Sequence, residues 1–177
     1  MNKFTFSSLL LLLFSGQIAM AIAKSNLPLD NTNKDSARIA ELDRYWERLN
    51  NAVMEGDLEG FKNCFHEDAV IVFASGENKT SVPIATALEF WKEAFKSTNE
   101  GKNTVNIAFR FSQRIGNETT AYESGIFINT FTDSISKKSS KAIIPFDMLL
   151  VKRNNQWYAM MEHQKPFATQ EEWDALE

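Results

Sequence analysis

Between Tyr45 and Gly76 the chain reads YWERLNNAVMEGDLEGFKNCFHEDAVIVFASG, a helix that must stop, turn sharply and restart before a strand. Ile39, Leu42, Trp46, Leu49 and Val53 recur at three- and four-residue spacing and so share one helix face. Gly56 supplies the left-handed residue that ends the helix. Asp57 is placed to cap the next one by accepting backbone N–H bonds. Leu58, Phe61 and Phe65 continue the apolar face, His66-Glu67-Asp68 breaks it, and Ala69 to Ala74 is apolar and β-rich. Taken alone, this is a helical corner of the kind any α+β domain can carry.

The N-terminus reads as a secretory signal. Lys3 is followed by an apolar run from Phe4 to Phe14 and two small-x-small sites, Ala19-Met20-Ala21 and Ala21-Ile22-Ala23. The run is too short to span a membrane. The expected organisation is a cleaved signal peptide over 1–23, a polar linker over 24–34, and one domain over 35–177, with a mature N-terminus at Ile22 or Lys24. The expected location is secreted or periplasmic. The formal net charge is −4 and becomes more acidic once Lys3 is removed. Scattered charge of that sign argues against nucleic-acid binding, and no basic amphipathic helix suits a membrane surface. Cys64 is the sole cysteine, so the domain must rely on its core rather than a disulfide. Its place beside Phe61 and Phe65 suggests a buried thiol. Two glycosylation sequons begin at Asn78 and Asn117.

The periodicity predicts a first helix over about Asp35–Glu55. A third helix has Pro83 in its first turn and Ile84, Leu88, Trp91 and Phe95 on one face. From Asn103 the pattern changes to strands. Val105, Ile107, Phe109 and Phe111 alternate with polar or small residues. Thr119–Phe131, Lys141–Lys152 and Gln156–Gln164 follow as long strands, the last two joined by a tight Asn154-Asn155 turn. Thr169-Gln170-Glu171-Glu172 is a capping-box pattern that opens a short terminal helix carrying Trp173.

This order of elements resembles the nuclear transport factor 2-like cone, which includes the SnoaL-like proteins and the ketosteroid isomerases. The words that carry the resemblance are Glu55-Gly56-Asp57-Leu58 with Phe65, then Asp68-Ala69-Val70, then Asn155-Gln156-Trp157. The resemblance covers about Ser36 to Lys165. It implies an α+β fold of the cystatin-like class, a cone-shaped curved antiparallel sheet wrapping three N-terminal helices, with a pocket at the wide end. It also implies residue roles, taken one at a time. The general-base aspartate of ketosteroid isomerase falls on Phe73, so the base is missing. The oxyanion tyrosine falls on Leu49, with Tyr45 one turn earlier. The oxyanion aspartate falls on Asp147, in Pro145-Phe146-Asp147.

Asp147 is a lone carboxylate between Ile143 and Val151 in an apolar strand, a costly place unless paired or protonated. A two-residue turn at Asn154-Asn155 sets Lys152 opposite Trp157. Counting back from there, Asp147 faces Glu162, Leu149 faces Met160 and Val151 faces Tyr158. A bulged three-residue loop at the turn would slip the register by one and bring Asp147 near His163 instead, an acid–base couple. Asp147, Glu162 and His163 are therefore the catalytic candidates. Tyr45, Leu49, Phe73, Tyr158 and Met160 are the candidate ligand contacts, with Asp147 expected in the pocket wall across from Tyr45. His66, His163 and Cys64 are too scattered for a metal site. No phosphate loop or nucleophile elbow appears, so no cofactor is expected. Two functions stay open: an exported pocket protein for a small, largely apolar molecule, with isomerase-, dehydratase- or hydrolase-type chemistry, and a non-catalytic binding or assembly module.

A homodimer is also expected. Ile144, Phe146, Met148 and Leu150 alternate with Asp147, and Trp157, Ala159 and Met161 join them in the unslipped register. If the helices cover the Asp147 face, this second apolar face needs a partner. The rival is that the Asn103–Phe131 hairpin curls over it.

Overall fold

The computed structural model describes residues 29–76 and 79–176, and for 29–33 the backbone alone. The signal-peptide segment 1–23 and Asn78 of the first sequon lie outside the described residues. Helix α1 runs Leu29–Glu55, starting inside the stretch read as a linker. Short α2 (Leu58–Lys62) follows, then β1 (Phe65–Phe73), β2 (Thr80–Pro83) and α3 (Ile84–Asn99). The long strands β3 (Asn103–Gly116), β4 (Thr120–Asp133), β5 (Ser139–Arg153) and β6 (Gln156–Gln164) come next, and α4 (Gln170–Asp174) closes the chain.

The α1–α2 corner forms as its residues require. Gly56 takes φ +67°, and a Cβ there would stand 2.5 Å from the Phe95 carbonyl oxygen on α3. No other residue fits both the conformation and the gap. Asp57 accepts from the Gly60 N–H at 2.9 Å, a cap worth about 1 kcal/mol. At the other end of the chain Thr169 and Glu172 form the full capping box of α4.

The six strands form one curved, unclosed sheet in the order β2-β1-β6-β5-β4-β3. All neighbours are antiparallel except β1 and β6, which run parallel. The sheet bends at an irregularity in β3. There Phe111 pairs with Gly125 and Gln113 with Ser124, leaving Ser112 over. Gly125 permits the bend, since a Cβ would meet the Arg110 carbonyl oxygen at 2.1 Å.

The concave face wraps α1 and carries the core. Trp46 is its hub, with its ring centroid 4.7 Å from Phe109, 5.2 Å from Phe111 and 5.3 Å from Phe146. Such aromatic pairs add about 0.5–1.5 kcal/mol each beyond burial. Phe146, Met148 and Leu150 of β5 all face α1 and are almost fully buried, as are Trp157 and Ala159 of β6. This corrects the expected facing of β5: the helices cover the Phe146–Met148–Leu150 side, and Asp147 and Leu149 point to the convex side. Both sides of the strand are apolar enough to be buried. The side with the bulkier, uninterrupted series took the core. On the convex side α4 covers one patch, where Trp173 is buried and the Arg110 guanidinium lies 4.6 Å from its ring centroid.

Candidate functional site

The hairpin of β5 and β6 decides which side chains reach the inside of the cone. Its turn has two residues, with Asn154 and Asn155 both at positive φ and Lys152 opposite Trp157, as expected. The register then slips within the ladder rather than at the turn. Leu150 pairs with Ala159 but Leu149 with Met161, so Met160 is an extra residue, a β-bulge. The slip changes which face the rest of β6 presents. Trp157 and Ala159 face inward before the bulge, and Glu162 and Gln164 face inward after it. Asp147 thus pairs with His163, and Met148 with Glu162.

Glu162 enters a cavity of about 320 Å³ between α1, α3 and the concave face. Trp46, Leu49 and Val53 of α1 form one wall, and Trp91 and Phe95 of α3 another. Phe109, Phe127, Ile144 and Phe146 form the sheet side. The polar groups among these walls are few: Glu162, Gln164, Asn129 and Thr98. Glu162 is 7% exposed and accepts one hydrogen bond, from Gln164 Nε2 at 2.8 Å to Oε1. Among the described residues no cation reaches it. Burial pushes its carboxyl up, and the bond from Gln164 only partly offsets this. Asn129 Oδ1 is buried without a protein partner.

The candidate residues are spread over three environments. Glu162 and Leu49 line the cavity. Asp147 does not, nor is it across from Tyr45. It lies on the convex side, where Lys165 Nζ reaches Oδ1 at 2.7 Å and Ser124 Oγ donates to it at 2.9 Å. Burial raises the Asp147 carboxyl, but hydrogen bonds from Lys165, Ser124 and Tyr122 outweigh this and leave it below its ordinary value. His163 Nδ1 is 3.7 Å from Asp147 Oδ2, so the slipped register brings the two together outside the cavity. Tyr158 shares that face, opposite Val151, and Met160 occupies the bulge. Tyr45 is fully buried in the core, its hydroxyl 3.6 Å from Met148 Sδ. Phe73 packs on Trp91 at 5.7 Å between centroids, behind the cavity wall. The three catalytic candidates therefore do not converge.

Gln164, Asn129 and Trp91 were missed as site residues. Gln164 carried the one usable signal, its alternation with Glu162. Cys64 is buried as expected, and burial pushes its thiol up to about 11.

Residues 38–168 match the family model described as the calcium/calmodulin dependent protein kinase II association domain. The chain belongs to this family. The association domain sits within the nuclear transport factor 2-like superfamily that the sequence resembles. Solved structures agree on the fold. A protein assigned as such an association domain, from Xanthomonas campestris, is 16% identical with a TM-score of 0.54, over 75% of this chain and 87% of that one. An NTF-2 like protein of unknown function from Shewanella oneidensis is 14% identical, with a TM-score of 0.54 over 72% and 98%. A ketosteroid isomerase-like protein from Erwinia carotovora is 13% identical, with a TM-score of 0.52 over 75% and 97%. A search of curated proteins finds no match.

Proposed function

We propose that this association-domain protein is an exported pocket protein that binds a small, largely apolar molecule in the cone cavity. The observation that carries this reading is the cavity itself: about 320 Å³, walled by aromatic side chains, with a few polar groups set among them. Ligand sites have that build. Export rests on Lys3, the apolar run and the small-x-small sites of the sequence. No acid–base constellation is assigned, because Asp147 and His163 stand on the other side of the sheet from Glu162.

Native mass spectrometry of the mature protein tests the reading by looking for a copurifying small molecule. Ile144→Trp, which fills the cavity from the sheet side, should remove that molecule while the melting transition stays cooperative. An empty parent protein whose Trp46 and Trp91 emission responds to no small aromatic compound would overturn it.

A second reading, assembly through the convex face, is favoured by Val70 and Leu149, which are 38% and 40% exposed on that side. The family description, an association domain, fits a homodimer built there. Leu149→Glu should lower the sedimentation coefficient of the mature protein at micromolar concentration. A parent that already sediments as a monomer rules the homodimer out.

A further inference from the structure

Among the described residues Glu123 and Glu162 are buried carboxylates and Asp147 and Glu41 are part-buried ones, and three of these four have a cation. Glu123 has Arg114 Nε at 2.6 Å, Asp147 has Lys165 Nζ at 2.7 Å, and Glu41 has Lys152 Nζ at 2.6 Å. Glu162 is the fourth. Its Oε2 has no hydrogen-bond partner among the described residues, and no lysine, arginine or histidine lines its cavity. A carboxylate buried in an aromatic cavity without a counter-charge is expensive. The same walls are built largely of aromatic rings, those of Trp46 and Trp91 among them, and aromatic rings attract cations by their quadrupoles.

We propose, building on the pocket reading above, that the ligand is a cationic amine: a small aromatic or alicyclic molecule whose ammonium group pairs with Glu162. The cavity then supplies all that such a ligand needs, an acceptor oxygen for the N–H groups and π faces around the charge. Anions are disfavoured, since the single ionisable side chain in the lining is acidic. Burial that raises the Glu162 carboxyl in the empty cavity is opposed once an ammonium lies beside it. Tyr45 of α1 and Cys64 are buried in the same core. Burial raises both, so neither competes as a charge. Asn129 marks the far end of the same cavity. It lies six residues along β4 from Glu123, whose partner Met148 pairs with Glu162. That is roughly 20 Å over the concave face, counting strand rise and spacing. It is too far to share one ammonium with Glu162, and its unpartnered Oδ1 would suit a second donor on a longer ligand.

Three probes with one ring system separate the possibilities: 1-naphthylmethylamine, 1-naphthalenemethanol and 1-naphthoate, titrated against the mature protein by tryptophan fluorescence at neutral pH. The amine should bind at least tenfold tighter than the alcohol, and the carboxylate weakest. Glu162→Gln, checked for an unchanged melting transition, should erase the amine's advantage and leave the alcohol's affinity in place. Equal binding of amine and alcohol, or an amine advantage that survives in Glu162→Gln, overturns the amine assignment while the pocket reading stands. Binding of none of the three overturns both.

Discussion

Glu123 and Glu162 flank Met148 on the concave face, one on each neighbouring strand. Both are buried, at 0% and 7% exposure. They differ in what surrounds them. Glu123 accepts from Trp46 Nε1 and from Arg114 Nε, and Arg114 is held in turn by Asp43 at 2.6 Å and lies over the Phe111 ring. Glu162 has one amide. Two carboxylates of one residue type, about 10 Å apart by strand spacing, thus serve different ends. The first is closed, with its valences filled by the fold. The second faces the cavity, with no cation beside it among the described residues. Burial is common to both; the missing counter-charge among the described residues is what sets Glu162 apart as a candidate.

Removing the cation at the closed site should cost most. Arg114→Met strands the Glu123 charge in the core and should destabilise by about 3–5 kcal/mol, read from urea unfolding at neutral pH. Glu123→Gln keeps the shape but loses the charge-assisted bonds, and about 1–3 kcal/mol is expected by the same measurement. If either variant leaves stability unchanged, Glu123 is not closed in the sense drawn here.

Glu162→Gln should behave in the opposite way. A carboxyl raised by folding contributes stability that is full below its unfolded value, ordinarily 4.5, and lost as pH rises through the folded value. The glutamine variant escapes that loss. It should match the parent at pH 4 and equal or exceed it at pH 7, by melting temperature. A variant less stable than the parent at pH 7 would mean that Glu162 is held by partners, as Glu123 is.

The smallest effect is expected at Asp147. Its carboxyl is lowered, so its contribution is present above its ordinary value of 3.8 and lost as pH falls below it. Asp147→Asn should therefore lower stability slightly at pH 7, and the difference should shrink as pH falls below 3.8 and through the folded value. It should leave probe binding in the cavity untouched, since Asp147 is on the convex side. Weaker probe binding in this variant would reconnect the two faces.

These three acids also show how far the sequence could be read. The corner at Gly56-Asp57, the strand Gln156–Gln164 and the capping box at Thr169 were legible because each depends on local backbone chemistry. The edge strand β2 was not, being four residues long with a proline at its end. The facing of Asp147 was misread because β5 is apolar on both sides and periodicity cannot say which side a helix will cover. Glu162 and His163 were legible as alternative partners of Asp147, but not which of them the register would choose. Their separation rests on an extra residue with no glycine to mark it, within Ala159-Met160-Met161, where every residue is apolar. The signal that remained was chemical: Gln164 two residues beyond Glu162, the one side chain among the described residues that bonds it.

The bulge at Met160 has a consequence for how this strand tolerates changes in length. The turn fixes the phase of Gln156–Ala159, while pairing with β1 and β5 fixes that of Met161–Gln164. Met160 belongs to neither segment. A chain lacking it would join the two in unbroken alternation, with Ala159, then Glu162 and Gln164, still inward. Loss of one codon elsewhere in the strand would turn one segment inside out, and here it would only straighten the ladder. Met160 is thus the place where β6 can shorten by one residue without exchanging the acid inside the cone for the imidazole outside it.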